Sequence, residues 1–281
     1  MKMKTSDKTM QLQKKSREPV SDKQLEYVRK IKRNRILIRI YQLLIFTGFL
    51  LIWEYTARHG IINDFIFCSP SKLFVTLVTM LKDGSLLHHI GITLYETLVS
   101  FVIVIAGSLI IATLFWWNKT LSRVMEPYLV ILNALPKSAL APVLIVWLGS
   151  NKTTIIVCAC SVAVFGSILN IYTGFVNVDA DKIKLIETLK GNRFQCLKLV
   201  VLPSNIPNII SIMKVNIGLC LVGVVIGEFL AAREGLGYLI IYGSQTFKMS
   251  NVLLSILILC VIAMLLYMVL QHIEKKMTEY F

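Results

Sequence analysis

NVDADKIKLIETLKGNRFQCLKLVVLPSN, residues 177–205, is a charged connection set between two apolar runs, 153–176 and 206–230. Each run is long enough to cross the ~30 Å hydrocarbon core of a bilayer as a helix. A bare inter-helix linker is short and polar, whereas this one carries a helical pattern of its own. Asp179 or Asp181 is placed to cap a helix at its positive end. Ile183, Ile186 and Leu189 recur every third residue and are expected on one face. Lys190-Gly191-Asn192 then breaks the helix, a second short one runs from Phe194 to Val201, and Leu202-Pro203 is expected to end it before the next run. The stretch reads as a structured, partly apolar hairpin at one membrane face, the kind of patch that marks a partner site. The competing reading lays it on the membrane surface as an amphipathic helix.

Outward from this hairpin the chain is dominated by apolar runs. It is 56% hydrophobic and 16% charged, against roughly 45–50% and 25% for soluble domains. That much apolar surface cannot be hidden in a water-soluble fold of 281 residues. Six runs qualify as spans: 36–56, 91–117, 126–149, 153–176, 206–230 and 252–271. Backbone polar groups in lipid must be satisfied within the segment, so at these lengths the spans are helices and the fold class is an all-α membrane protein. The domain organisation is a basic N-terminal tail (1–35), a membrane domain (36–272) and a short C-terminal tail (273–281). The first apolar run begins near residue 36, too late for a cleavable signal peptide. The tail before it is expected to be disordered up to Pro19 and helical on the membrane surface from Ser21.

The net charge of +14 would suit a nucleic-acid binder, but the placement of the charge excludes it. Residues 1–39 hold 13 of the 30 Lys and Arg, and most of the rest sit at span ends. With the N-terminus in the cytoplasm, 22 of these cations fall inside and 6 outside. This is the orientation bias of a multi-pass protein of the cell (inner) membrane with both termini cytoplasmic. Trp116-Trp117 fits an inner interfacial anchor. Two outer segments carry structure: Ser69-Pro70-Ser71 opens a capped helix to about Leu81, and GLGYLIIYGSQTF (235–247) is a short re-entrant or interfacial helix.

Polar residues inside the spans mark the candidate pathway. Pro136 and Pro142 must kink or open the third span, and Asn133, Lys137 and Ser138 cluster beside them. An ammonium near mid-span costs roughly 2.5–3.5 kcal/mol on insertion scales, so Lys137 either faces a cavity and favours anionic cargo or snorkels out. Lys214 and Glu228 share the fifth span, too far apart to pair, each a gate or an anchor. Glu228 is read as the one acid of the spans. Gly107, Ser108, Ala112, Gly218, Gly223 and Gly227 allow close helix packing at a dimer seam or within a moving bundle. The six cysteines read as apolar fillers, without disulfide or metal-site spacing, and His88-His89 as surface histidines. No metal site is expected, and no G-x-x-x-x-G-K-[S/T] is present, so the chain is not expected to cradle ATP itself.

With these residues in view, the hairpin resembles the cytoplasmic coupling loop of binding-protein-dependent ABC import permeases. The frame is helix, glycine turn, helix and Leu202-Pro203. The register departs from the family pattern: thirteen residues before Pro203 stands Lys190, with Gly191 one place later, and the family's acidic position falls near Lys184-Leu185-Ile186. Leu135-Pro136-Lys137-Ser138-Ala139-Leu140-Ala141-Pro142 followed by Ile145-Val146-Trp147-Leu148-Gly149 is similar to the third-span signature of the sulfonate/nitrate/taurine permeases. So are Gly223-Val224-Val225-Ile226-Gly227-Glu228-Phe229 with Gly235-Leu236-Gly237-Tyr238-Leu239, and Cys68-Ser69-Pro70 with His89 and Thr93.

The resemblance covers about residues 40–275 and implies a type I importer permease with a cytoplasmic coupling helix. It implies a homodimer, two cytoplasmic subunits that bind ATP and Mg, and an extracytoplasmic solute-binding protein. Ile183, Ile186, Glu187, Leu189, Gly191, Arg193, Leu202 and Pro203 would sit at the ATPase. Asn133, Pro136, Lys137, Ser138, Pro142, Lys214 and Glu228 would line or gate the path of a small anion such as a sulfonate, taurine or nitrate, or of a vitamin precursor. The rival classes are an ion-gradient-driven secondary transporter, which would show embedded acids and an internal repeat, and a membrane enzyme, which would show a nucleophile and base.

Overall fold

The computed structural model describes residues 22–59 and 68–278, and among these every regular element is helical. The tail expected to be disordered up to Pro19 lies outside the described residues. The chain divides into two units, Met1–Asp64 and Phe65–Phe281. The first carries one helix, α1 (Asp22–Arg58), whose apolar part is Ile40–Arg58. The sequence reading separated a surface helix from the first span; in the structure they are one continuous helix, because no Gly or Pro interrupts the polar-to-apolar junction at residues 30–40.

The second unit opens with α2 (Pro70–Lys82), where Ser69 accepts the Lys72 N–H and Pro70 stands at the first helical position. The capped helix expected from Ser69-Pro70-Ser71 is therefore present. Three long helices form the centre: α3 (Ser85–Trp117), α6 (Lys152–Val176) and α9 (Leu202–Ala231). A fourth, α11 (Met249–Thr278), packs on α9 and α2. Five helices of the described residues are long and apolar enough to cross a membrane, or six if one bent pair counts as a span.

That bent pair is the third predicted span. Instead of one helix over 126–149, α4 (Lys119–Ala134) and α5 (Lys137–Leu148) meet at 95°. Pro136 takes an extended ψ of 103° as the N-cap of α5, and Leu135 is extended before it, as a residue preceding proline is driven to be. Pro142, by contrast, lies inside α5, and a third proline, Pro127, lies inside α4.

The α6–α9 seam is set by small residues. A Cβ on Gly223 would lie 2.6 Å from the Ala159 Cα, and one on Gly227 would lie 3.1 Å from the Ile155 Cα. Buried Cys158, Ala163 and Cys220 continue the seam as fillers. Gly107 and Gly218 face open space instead. Across the seam, buried Asn216 donates to Ser167 Oγ at 2.9 Å.

Candidate functional site

Three arrangements in the second unit carry the residues singled out by sequence: the hairpin, the break between α4 and α5, and a latch at the opposite end of the bundle from the hairpin.

The hairpin consists of α7 (Ala180–Thr188), α8 (Arg193–Cys196) and a π-turn over Leu197–Val201 that runs straight into α9. Asp179 caps α7 through the Asp181 N–H at 2.9 Å. The turn is a Schellman motif: the Lys190 N–H donates to Glu187 O at 2.9 Å and the Gly191 N–H to Ile186 O at 2.8 Å. Lys190, at φ +58°, and not Gly191, is its left-handed residue. Gly191 is required for a different reason, since a Cβ there would lie 2.8 Å from Ile186 O and collide with the Ile186 side chain. A reciprocal capping box between Asn192 and Gln195 starts α8, with bonds of 2.9 and 2.8 Å.

Two expectations for the hairpin need correction. Leu202-Pro203 does not end the second helix. The wide π-turn immediately before Pro203 absorbs a residue that could neither donate nor fit a regular α-turn, so helix runs unbroken into the span. Nor do Ile183, Ile186 and Leu189 form one exposed face. Ile183 and Ile186 are half-buried, while Leu189 lies past the helix end. The exposed apolar set is Leu185, Leu189 and Phe194, at 60%, 72% and 57% of full exposure. Glu187 and Arg193 line a cavity with Lys119 and Arg123, and Arg193 Nη1 donates to Trp117 O at 3.1 Å, capping the end of α3.

At the break, Lys137 Nζ turns back onto the carbonyls of Leu132 and Asn133, at 2.5 and 2.8 Å, and lies 5.4 Å from the centre of the Phe165 ring. The ammonium thus satisfies carbonyls that the end of α4 leaves free. Asn133 rests over Gly166, where a Cβ would stand 3.2 Å from its Oδ1. Ser138 is exposed. Farther along the exposed side of α6 and α9 the sequence reading missed a row of uncharged polar groups. Asn170, Thr173, Asn177, Ser204 and Asn208 line a hollow of about 470 Å³, and Asn170 and Ser211 a second of about 210 Å³. The signal in the sequence is the recurrence of amides in two otherwise apolar runs, which spacing alone does not bring to a common face.

Lys214 and Glu228 have separate partners. Lys214 Nζ pairs with Glu274 Oε2 of α11 at 2.7 Å. Glu228 is 1% exposed. Its Oε1 accepts from Thr93 Oγ1 at 2.7 Å and its Oε2 from the Gly237 N–H at 2.6 Å. Thr93 Oγ1 in turn accepts the Leu236 N–H at 2.9 Å, and His89 Nδ1 accepts the Gly235 N–H at 2.9 Å. The N-cap amide of α10 (Leu236–Gln245) and its first two helical amides are thereby met by α3 and α9. Leu236 and Leu239 pack beneath them on Leu86 and Ile262. His89 is therefore no surface histidine: its ring is half-buried and holds a helix N-terminus, while His88 stays exposed, 3.5 Å from Glu234. Nor is Glu228 the one acid of the spans. Glu96 of α3 is fully buried, whereas Glu54 and Glu126 fall near the ends of their runs. No group of three or more His, Cys, Asp or Glu able to hold a metal ion occurs among the described residues.

A bundle of apolar helices, one broken at mid-span, with a structured hairpin at one end and a short tethered helix at the other, defines a polytopic membrane protein. The chain belongs to the family described as "Binding-protein-dependent transport system inner membrane component", which matches residues 103–279. It is 30% identical over 231 residues to a probable ABC transporter permease protein of Haemophilus influenzae, covering 82% of this chain and 94% of that one. It is 24% identical over 229 residues to a putative aliphatic sulfonates transport permease of Bacillus subtilis, covering 82% and 83%. Among solved structures, the inward-facing MetNI methionine ABC transporter matches with a TM-score of 0.61 at 16% identity, over 69% of this chain and 97% of that one. The fold is that of an ABC importer permease, and the chain is an inner-membrane transport subunit of that class.

Proposed function

We propose that this permease works as a homodimer with two ATP- and Mg-binding subunits on its cytoplasmic face and a solute-binding protein outside. On this reading both termini are cytoplasmic and the chain has no ATPase site of its own. The observation that carries it is the hairpin: a rigidly capped helix pair, continuous with a span through the π-turn, presenting Leu185, Leu189 and Phe194 to solvent. Closure of the ATPase pair would push on α7, and the unbroken helix from Arg193 to Ala231 would transmit that push along the bundle. The energetics lie in the partner; this chain supplies lever and pore.

The cargo, on the same reading, is a small organic or inorganic anion of the sulfonate, taurine or nitrate type. The name of the Bacillus subtilis relative and the position of Lys137 at the broken span support it. Asn133, Pro136, Ser138 and Pro142 would shape that gate. A second cargo class, a vitamin precursor, is favoured by the amide-lined hollow and by 25% identity over 232 residues to a formylaminopyrimidine transport permease of Halalkalibacterium halodurans. Uncharged amides and hydroxyls recognise such a ring without a fixed charge.

The test is uptake by sealed vesicles holding the permease, its ATPase and its binding protein. Uptake should require ATP, and uptake that continued without ATP and followed a proton or sodium gradient would refute the assignment. Lys137→Met should depress uptake of an anion with assembly intact; unchanged anion uptake would retire that role.

A further inference from the structure

The latch around α10 leaves one polar group unexplained. Glu96 is fully buried, and neither of its carboxylate oxygens has a hydrogen-bond partner among the described residues. It stands one turn along α3 from Thr93, whose hydroxyl donates to Glu228 Oε1, and so faces the Glu228 carboxylate. Both oxygens of Glu228 are already taken, by Thr93 and Gly237. Two carboxylates side by side can only accept, so neither satisfies the other; a buried unpaired acceptor is costly, and two like charges at contact are costlier. One proton removes both penalties. It neutralises one charge and gives the pair the missing donor, and a charge-assisted O–H···O⁻ bond is among the stronger kinds.

We propose that Glu96 and Glu228 hold one proton between them and that this proton completes the latch seating α10 on α3 and α9. Glu96 is then a positioning residue. By donating to Glu228 it fixes the carboxylate that receives the Gly237 N–H and the Thr93 hydroxyl. The charged groups on this side of the pair are Lys152 at the start of α6 and Glu234 in the loop before α10, which lie 3.7 Å apart, and Arg233 of the same loop, which borders the cavity beside Glu96; His89 on α3 is spent on the Gly235 N–H. The Lys152 ammonium, already shared with Glu234, does not supply the missing donor. A cavity of about 340 Å³ bordered by Glu96, Ser150 and Lys152 gives the proton a route out. The closed latch binds one more proton at the carboxylate pair than the open one, so raising the pH opens it; at low pH the limit is His89, whose protonation removes the acceptor that holds the Gly235 N–H.

The test uses the full chain in nanodiscs, so it does not depend on partners or cargo. Infrared difference spectra should show a protonated carboxyl band that vanishes as pH rises. Amide hydrogen exchange across 235–247 should then increase by about tenfold or more beyond the ordinary chemical acceleration. Glu96→Gln, a permanent donor, should lack the band and keep 235–247 protected across the range. Glu228→Gln, which lets an ionised Glu96 accept, should lack the band as well and serves if the first variant fails to fold. A band that survives in either variant overturns the proposal, as does opening of Glu96→Gln at the wild-type pH. Closure of the wild-type latch by sodium or potassium at high pH would assign the site to a metal cation and equally overturn it.

Discussion

Gly235 adopts φ +103°, and a Cβ there would collide with the Glu228 carboxylate. Gly237 is confined by the same group, its Cβ position 2.7 Å from Oε2. Gly235 is needed both for that φ and because the carboxylate must reach the amides of a helix start; Gly237 is needed for the second reason alone. Gly235→Ala is expected to cost about 1–3 kcal/mol of stability through strain at that φ, with more from the collision, read as a lower melting temperature in detergent. Near the middle of α9, Lys214 and Glu274 form a half-buried, charge-assisted pair. Lys214→Met should lower stability by about 1.5–3 kcal/mol, and Lys214→Glu combined with Glu274→Lys should restore most of it. A double variant no better than the singles would show that Lys214 is held for another reason. The sequence marked Lys214 and Glu228 as needing partners, yet could not supply them: Glu274 is 60 residues away along the chain and Thr93 is 135.

Among the elements, the hairpin was the most legible and also the most revised. Its caps, turn and two helices follow from local residue chemistry, which acts within a few positions and is written in order along the chain. The exposed face was misread because period-three spacing says which residues align, not which side the bundle covers. Leu185→Asp with Leu189→Asp should abolish co-purification of the ATPase subunit while leaving the melting temperature of the isolated permease nearly unchanged, since both side chains are exposed. Gly191→Ala acts differently: it pushes Ile186 and the Schellman turn apart, so it should weaken both hydrolysis-coupled uptake and ATPase capture. The broken third span was foreseen as a kink from Pro136 and Pro142. Only Pro136 makes the break, because Leu135 before it is extended, whereas Pro142 is carried inside α5.

Across the whole molecule, the α6–α9 seam and the amide row lie on different sides of the same two helices. The seam is closed within one chain by Gly223, Gly227 and Ala159, so these small residues do not wait for a second copy. The amide row is open to solvent in the single chain. In a membrane that side must be covered by water or by another protomer. Cysteine introduced at Asn170 or Asn208 should therefore be labelled by a water-soluble thiol reagent in assembled permease; protection from it with efficient self-crosslinking would make the row a protomer contact. By itself the sequence determined the membrane class, the approximate spans, the hairpin and the need for the third span to kink or open near its prolines, because hydropathy, capping and proline geometry are local properties. Only the tertiary structure decided the fate of buried charge. It showed that Lys137 caps carbonyls of its own broken span, that His89 holds a helix start, and that Glu96 meets Glu228. Such pairings join residues far apart in the chain through the packing of whole helices, and no spacing rule encodes them.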